Sequence, residues 1–206
     1  MSTTGPGEAP RMSLRDRNRQ QTREAILRSA QLLMMRDGAS ATSMVEVAEL
    51  AGVSDTTVFN YFKTKTDLLD AVVEELGSAT NLATLLATRP TSEGPFTALR
   101  HLIREGADSG ATFDARDTVN YIEAVRSDPA LWGAYLRVSH ETGEILAEAY
   151  VDHAPHWSRP QARMAAHATV AALSILLAEV TEQWTSTEFS ERVDELLARL
   201  ERAWPE

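Results

Sequence analysis

The stretch Thr42–Leu69, TSMVEVAELAGVSDTTVFNYFKTKTDLL, decides the fold. Ser43 stands three residues before Glu46, the spacing at which a hydroxyl and a carboxylate cap each other's backbone N–H groups at a helix start. The helix so opened runs from Met44 to about Ala51. Gly52-Val53-Ser54 ends it, and Ser54 caps another helix over about 55–61. Two short helices joined by a tight glycine turn make a helix-turn-helix. Val47, Ala48, Val53, Val58 and Phe62 supply the apolar groups that pack them together, and Ala48 and Ala51 are small enough for a close crossing. The outward face of the second helix carries Asp55, Thr56, Thr57, Phe59, Asn60 and Tyr61, with little charge to repel a phosphate backbone. Hydroxyl and amide groups bond phosphate oxygens and base edges, and a helix start adds its own N–H groups and dipole.

Outward from this stretch the chain reads as helix throughout. Ser13 and Asp16 have capping-box spacing, and Ile26, Leu27, Ala30, Leu33 and Met34 form a helical stripe that Asp37-Gly38 stops, predicting a first helix over about 15–37. Thr64 and Asp67 open a long helix with Leu68, Leu69, Val72, Val73, Leu76, Ala83 and Leu86 as its apolar positions, ending before Arg89-Pro90. Five more helices follow, over about 95–109, 114–127, from Asp128 and Pro129 to about Ala149, 159–184 and 187–203. No alternating β-branched run and no Asn-Gly or Asp-Gly hairpin turn is present. The predicted fold is all-α, with about nine helices. A tail over 1–12 is too poor in apolar residues to order, 13–64 forms a three-helix head, and 65–206 forms a helical bundle.

Composition narrows the function. At 206 residues the chain suits one large domain or two small ones, and it carries no cysteine, which excludes disulfides, thiolate metal sites and cysteine nucleophiles. No run reaches the roughly 18 apolar residues of a membrane span, and MSTTGPGEAP has no signal-peptide core, so a cytoplasmic protein is expected. The net charge of −10 argues against nucleic acid until it is divided. Residues 1–66 hold nine basic and seven acidic side chains, both lysines (Lys63 and Lys65) among them, and the rest of the chain carries −12. A mildly basic head on an acidic body leaves one end to approach a polyanion.

The residues Thr42, Ser43, Val47, Ala48, Ala51-Gly52-Val53-Ser54, Thr57, Val58, Phe59, Tyr61, Phe62, Lys65 and Leu68, with Thr22-Arg23-Glu24-Ala25-Ile26-Leu27 in the first helix, resemble the DNA-binding head of the TetR family of transcriptional repressors over about 15–70. Two positions depart from that pattern: Phe59 where tyrosine is commonest and Tyr61 where histidine is. Losing a hydroxyl at 59 removes one phosphate hydrogen bond, and Tyr61 offers one in exchange. By position, the resemblance implies phosphate contacts from Ser43, Thr57, Tyr61 and Lys65, and a major-groove face of Ser54, Asp55, Thr56, Phe59 and Asn60. Arg15, Arg17 and Arg19 would lie along the backbone or reach an adjacent minor groove. Residue by residue, other readings stand: Phe59 as core, Asp55 as a helix-start acid serving the dipole, the arginines as a solvated run.

The resemblance also implies a body that binds an unidentified, largely apolar small molecule and forms a homodimer on a double-stranded DNA operator, with no cofactor and no metal. Candidate effector contacts are Leu99, Leu102, Phe113, Tyr121, Trp132, Tyr135, His140, Met164, His167 and Trp184. The dimer face falls on the last two helices, where Ala168, Ala171 and Ala172 allow close approach and Ile175, Val193, Leu196, Leu197 and Leu200 give apolar area, or else these are simply core. The helix over 65–88 is the natural lever between the two ends.

Readings from other classes are an enzyme and an interaction module without DNA binding. Phosphate-loop, G-x-S-x-G and H-E-x-x-H signatures are absent; His140-Glu141 begins like the last, but position 144 is Glu. Asp152, His153 and His156 flank a proline and read as a surface loop rather than a metal site.

Overall fold

The computed structural model describes residues 13–77, 84–108 and 114–204; the expected tail over 1–12 lies outside them. The described residues hold nine helices with defined bounds and no strand: α1 (Leu14–Asp37), α2 (Met44–Ala51), α3 (Asp55–Tyr61), α4 (Lys65–Gly77), α5 (Pro95–Asp108), α6 (Ala115–Ser127), α7 (Pro129–His153), α8 (Arg159–Leu177) and α9 (Ser186–Ala203). Residues 84–86 are also helical, so the expected single helix over 65–88 turns on 78–83, which are not among the described residues.

Most helix starts are fixed by the side chains that their sequence supplies. Ser13, Ser43, Ser54, Asp114, Asp128, Ser158 and Thr185 each accept a backbone N–H from the first turn of α1, α2, α3, α6, α7, α8 and α9 respectively. Such a cap contributes about 1 kcal/mol. Gly38 at φ 86° and Gly52 at φ 68° close α1 and α2 in a backbone region that other residues enter only with strain.

Two cores result. The first joins Ile26, Leu27, Leu33 and Met34 of α1 to Val47, Val58, Leu68 and Val72, and continues into Tyr121, Ile122 and Val125 of α6 and Leu131 and Ala134 of α7. It therefore crosses the boundary at 64 that the sequence placed between head and body. The second core is built on Phe96, Leu99, Tyr150, Ala162, Ala165, Ala166, Val193 and Leu197. Phe96 sits at its aromatic centre, 5.7 Å from Tyr150, 6.0 Å from Trp157 and 6.3 Å from Trp204.

Asp128 ties the first core's two halves. It is 9% exposed and caps α7 through Ala130 N (2.7 Å) and Leu131 N (3.3 Å), while the other carboxylate oxygen accepts Ser40 N (3.0 Å) from the α1–α2 loop. Burial pushes its acid strength down, but the backbone N–H groups of Ser40, Ala130, Leu131 and Ala39 together outweigh that and hold the carboxyl below its usual range. A second tie is the two-pronged bond from Arg137 of α7 to Asp70 of α4 (2.6–3.1 Å).

Three expectations are corrected. The eighth helix stops at Leu177 rather than near 184: the N–H groups of Glu179 and Val180 reach only three residues back, to Leu176 and Leu177, which tightens and ends the turn. Val193 and Leu197 are not on an outer face but are 1% and 0% exposed inside the second core, because the apolar stripe of α9 is buried with Phe96 and Leu99 of α5 and Tyr150 of α7, while Arg100 of α5 pairs with Asp194 at 2.9 and 3.0 Å and Glu201 at 3.3 Å at its edge. His153 is no loop residue. It ends α7, is buried, and sets its two ring nitrogens 2.9 Å from Glu93 O and 3.0 Å from Leu86 O.

Replacing Asp128 by Ala should cost about 2 kcal/mol in urea unfolding, from a lost cap and an unpaired buried N–H. Because the folded carboxyl titrates below its unfolded value of about 3.9, its contribution is complete above that pH and is lost as pH falls through the lower folded value. Asp128→Asn, which can still cap, should melt nearer to wild type and show a flatter acid dependence.

Candidate nucleic-acid interface

The candidate recognition surface is built on α3. Val58 is fully buried and Phe62 nearly so, anchoring α3 against α1 and α2, and that leaves the other side outward. Asp55, Thr56 and Asn60 are exposed, and Phe59 is 44% exposed, so its ring is not core. Ser54 Oγ lies 2.8 Å from Thr57 Oγ1 and accepts Thr57 N at 3.2 Å, which fixes the first turn. Ser43 is exposed at the start of α2, its capping box with Glu46 complete.

Two expected contact residues carry bonds within the head. The Tyr61 hydroxyl donates to Arg19 O of α1 at 3.1 Å, which ties the end of α3 to α1. Lys65 Nζ donates to Ser40 O at 3.1 Å, and an ammonium group has two further donors. Arg15, Arg17 and Arg19 lie, as the sequence indicates, on the first turns of α1, and all three are exposed. Arg23 lies over the Phe62 ring at 5.7 Å, so α1's stripe beside α3 carries Arg23 and, one turn earlier, Arg19. At about 100° per residue Arg17 is turned roughly a third of a circle from Arg23. Sequence spacing alone could not rank these arginines. The signal that could have was Phe62, a buried ring at the end of α3.

The candidate effector residues do not line one cavity. Tyr121 is buried in the first core with Tyr135 packed against it, and Trp132 stacks on Tyr135 at 5.5 Å while remaining largely exposed. Leu99 is in the second core, and Leu102 and Trp184 pack against it, Trp184 under the Arg192 guanidinium at 4.5 Å. His140 and His167 stack on each other at 5.3 Å between α7 and α8. Met164 is 64% exposed, and Phe113 lies outside the described residues. Tyr121 has the one buried side-chain polar atom without a partner among the described residues, and burial raises its phenol well above the usual range.

A helix-turn-helix head braced on an all-helical body is the build of a DNA-binding regulator, not of an enzyme. The family model for "Bacterial regulatory proteins, tetR family" matches residues 26–72. The chain is 32% identical over 145 residues to the HTH-type transcriptional repressor LfrR of Mycolicibacterium smegmatis, covering 68% of this chain and 73% of LfrR. It therefore belongs to the tetR family and is a transcriptional regulator. Solved structures share the fold at low identity. One is a putative transcriptional regulator from Pseudomonas aeruginosa PAO1 (TM-score 0.59, 19% identity, covering 90% of this chain and 92% of that one). Another is the flavonoid-responsive regulator FrrA (TM-score 0.53, 22% identity, covering 89% and 96%). No described helix is long and apolar enough to cross a membrane.

Tyr61→Phe should lower thermal stability by about 1 kcal/mol through loss of the bond to Arg19 O. An unchanged melting temperature would show that this bond does not hold α3.

Proposed function

We propose that the chain is a repressor that binds a palindromic operator as a homodimer and is released by a small molecule, working in the cytoplasm where its DNA lies. The observation that carries this is the outward face of α3, where Thr56, Phe59 and Asn60 stand free of bonds to the rest of the head, on a helix whose inner side is fully packed. In this reading Asn60, Thr56 and Phe59 read the major groove. Ser43, Thr57, Lys65, Arg19 and Arg23 hold phosphates, with Arg17 at the edge and Ser54 and Asp55 at the helix start. Hydroxyl, amide and cationic donors suit those two tasks.

The dimer contact in this reading is the outer row of α8. Met164 and Ile175, each 64% exposed, flank Ala168 and Ala171 with steps of four, three and four residues, the spacing of a helix seam. Met164 thus moves from the effector candidates to the dimer face, with Ala172, Leu196 and Leu200 at its margin. Two copies would present their α3 helices to half-sites about 34 Å apart. The effector would enter the first core between α6 and α7, where the unpartnered Tyr121 hydroxyl supplies a polar anchor beside Tyr135. Displacing α7 would then move Asp128 and, through Ser40, the head. FrrA, which shares the fold, is named as flavonoid-responsive, so an aromatic effector is within the fold's reach.

Selection of bound fragments from genomic DNA should return an inverted repeat, and sedimentation of the protein–DNA complex should give two chains or a multiple of two per site. A monomer with no duplex affinity at low salt would refute the reading, and would favour an interaction module. Lys65→Ala should weaken binding to all sequences alike and reduce the salt slope by about 1. Asn60→Ala should instead change the preferred sequence; an unaltered preference would remove Asn60 from base reading.

A further inference from the structure

Between α7 and α8, away from the recognition surface, lies a cluster that the repressor reading does not use. His140 and Glu144 are one turn apart on α7, and His167 comes from α8; one ligand atom from each falls within 4.8 Å of the other two. His167 Nε2 is 2.9 Å from Glu144 Oε1, and the two imidazoles stack at 5.3 Å with planes 27° apart. The pocket for the His167 ring depends on Gly143. A Cβ there would fall 2.4 Å from both Cε1 and Nδ1 of that ring, so any other residue would push His167 out. A glycine inside a long helix costs about 1 kcal/mol against alanine. Here it makes the notch that seats the ring.

We propose that His140, Glu144 and His167 form a binding site for a divalent transition-metal ion of the zinc type. Two imidazole nitrogens and a carboxylate oxygen are a borderline-soft ligand set, suited to zinc, nickel or copper rather than calcium or magnesium. Ligands around tetrahedral zinc stand roughly 3.3 Å apart at bond lengths of about 2.0–2.1 Å. Metal binding would require the three ligand atoms, now within 4.8 Å of one another, to draw closer, and His140 is exposed and has room to turn. Every hydrogen bond to Glu144 falls on Oε1, two of them from Arg163 at 2.6 and 3.0 Å. Arg163 is at the same time a competing cation. With three protein ligands and His140 exposed, the ion would keep a position open to water or to a small chelating molecule.

The test is calorimetric titration of ZnCl₂ into the tag-free, chelator-stripped protein, with Co²⁺ absorption as a second readout. One ion per chain is expected, with visible Co²⁺ bands. His140→Ala, His167→Ala and Glu144→Gln should each weaken binding at least about tenfold and abolish the bands, with helical circular dichroism unchanged in His140→Ala, whose side chain is exposed. Gly143→Ala should weaken it roughly tenfold, as a lost supporting contact does. Arg163→Ala should tighten it by removing the competitor. The absence of saturable binding by wild type, variants that bind like wild type, or weaker binding by Arg163→Ala would overturn the assignment.

Discussion

The Asp128 carboxylate receives N–H bonds from its own helix start and from Ser40, 88 residues before it, and so ties the head to the body. One oxygen starts α7 and the other holds the α1–α2 loop through Ser40. An isolated buried carboxylate would be too costly to keep, so the loop and the helix start are each other's condition. Lys65 Nζ on the neighbouring Ser40 carbonyl and Arg137 on Asp70 add cationic ties along the same seam. The first core closes behind them, with residues of α1, α2, α4, α6 and α7 in one apolar cluster.

That shared core changes how a signal would travel. The sequence points to α4 as the lever because α4 follows the head directly. α7 offers a second route, since its N-cap Asp128 is bonded to the head loop and its length runs past both cores to His153. Tyr121 and Tyr135, on α6 and α7, sit on the head side of the body, next to the side chains that brace the recognition helix. Leu99, Leu102 and Trp184 sit at the other end.

Elements with local chemistry were legible in the sequence. Ser43 with Glu46, Ser54, Thr64 with Asp67, Asp128 with Pro129 and Gly52 each set a helix boundary by a bond within four residues, and all stand where they were read. The head motif was legible for the same reason, its capping and turn residues all falling within one short stretch, although its core continues into α6 and α7. Long-range partners were not. The stripe on α9 shows that Val193 and Leu197 want burial, but not that the partners are Phe96 and Leu99, nor that Arg100 meets Asp194 and Glu201 about a hundred residues on. Tyr61 could be read as a hydroxyl near α3's end, but not as one already bonded to Arg19 O. The His140–Glu144–His167 cluster was not legible: Glu at 144 broke the H-E-x-x-H pattern, and His167 comes from a different helix, seated beside Gly143.

The outer row of α8 has a property that its neighbours lack. Read in either direction, Met164, Ala168, Ala171 and Ile175 give the same profile: a bulky end, two alanines, a bulky end. A ridge with that profile is complementary to its own reversed image, since the methyls leave a saddle at the midpoint and the long side chains fall to either flank. Two such ridges crossing at the saddle could bring their backbones close without carving a separate socket in each, and the crossing point would sit on the axis of symmetry itself.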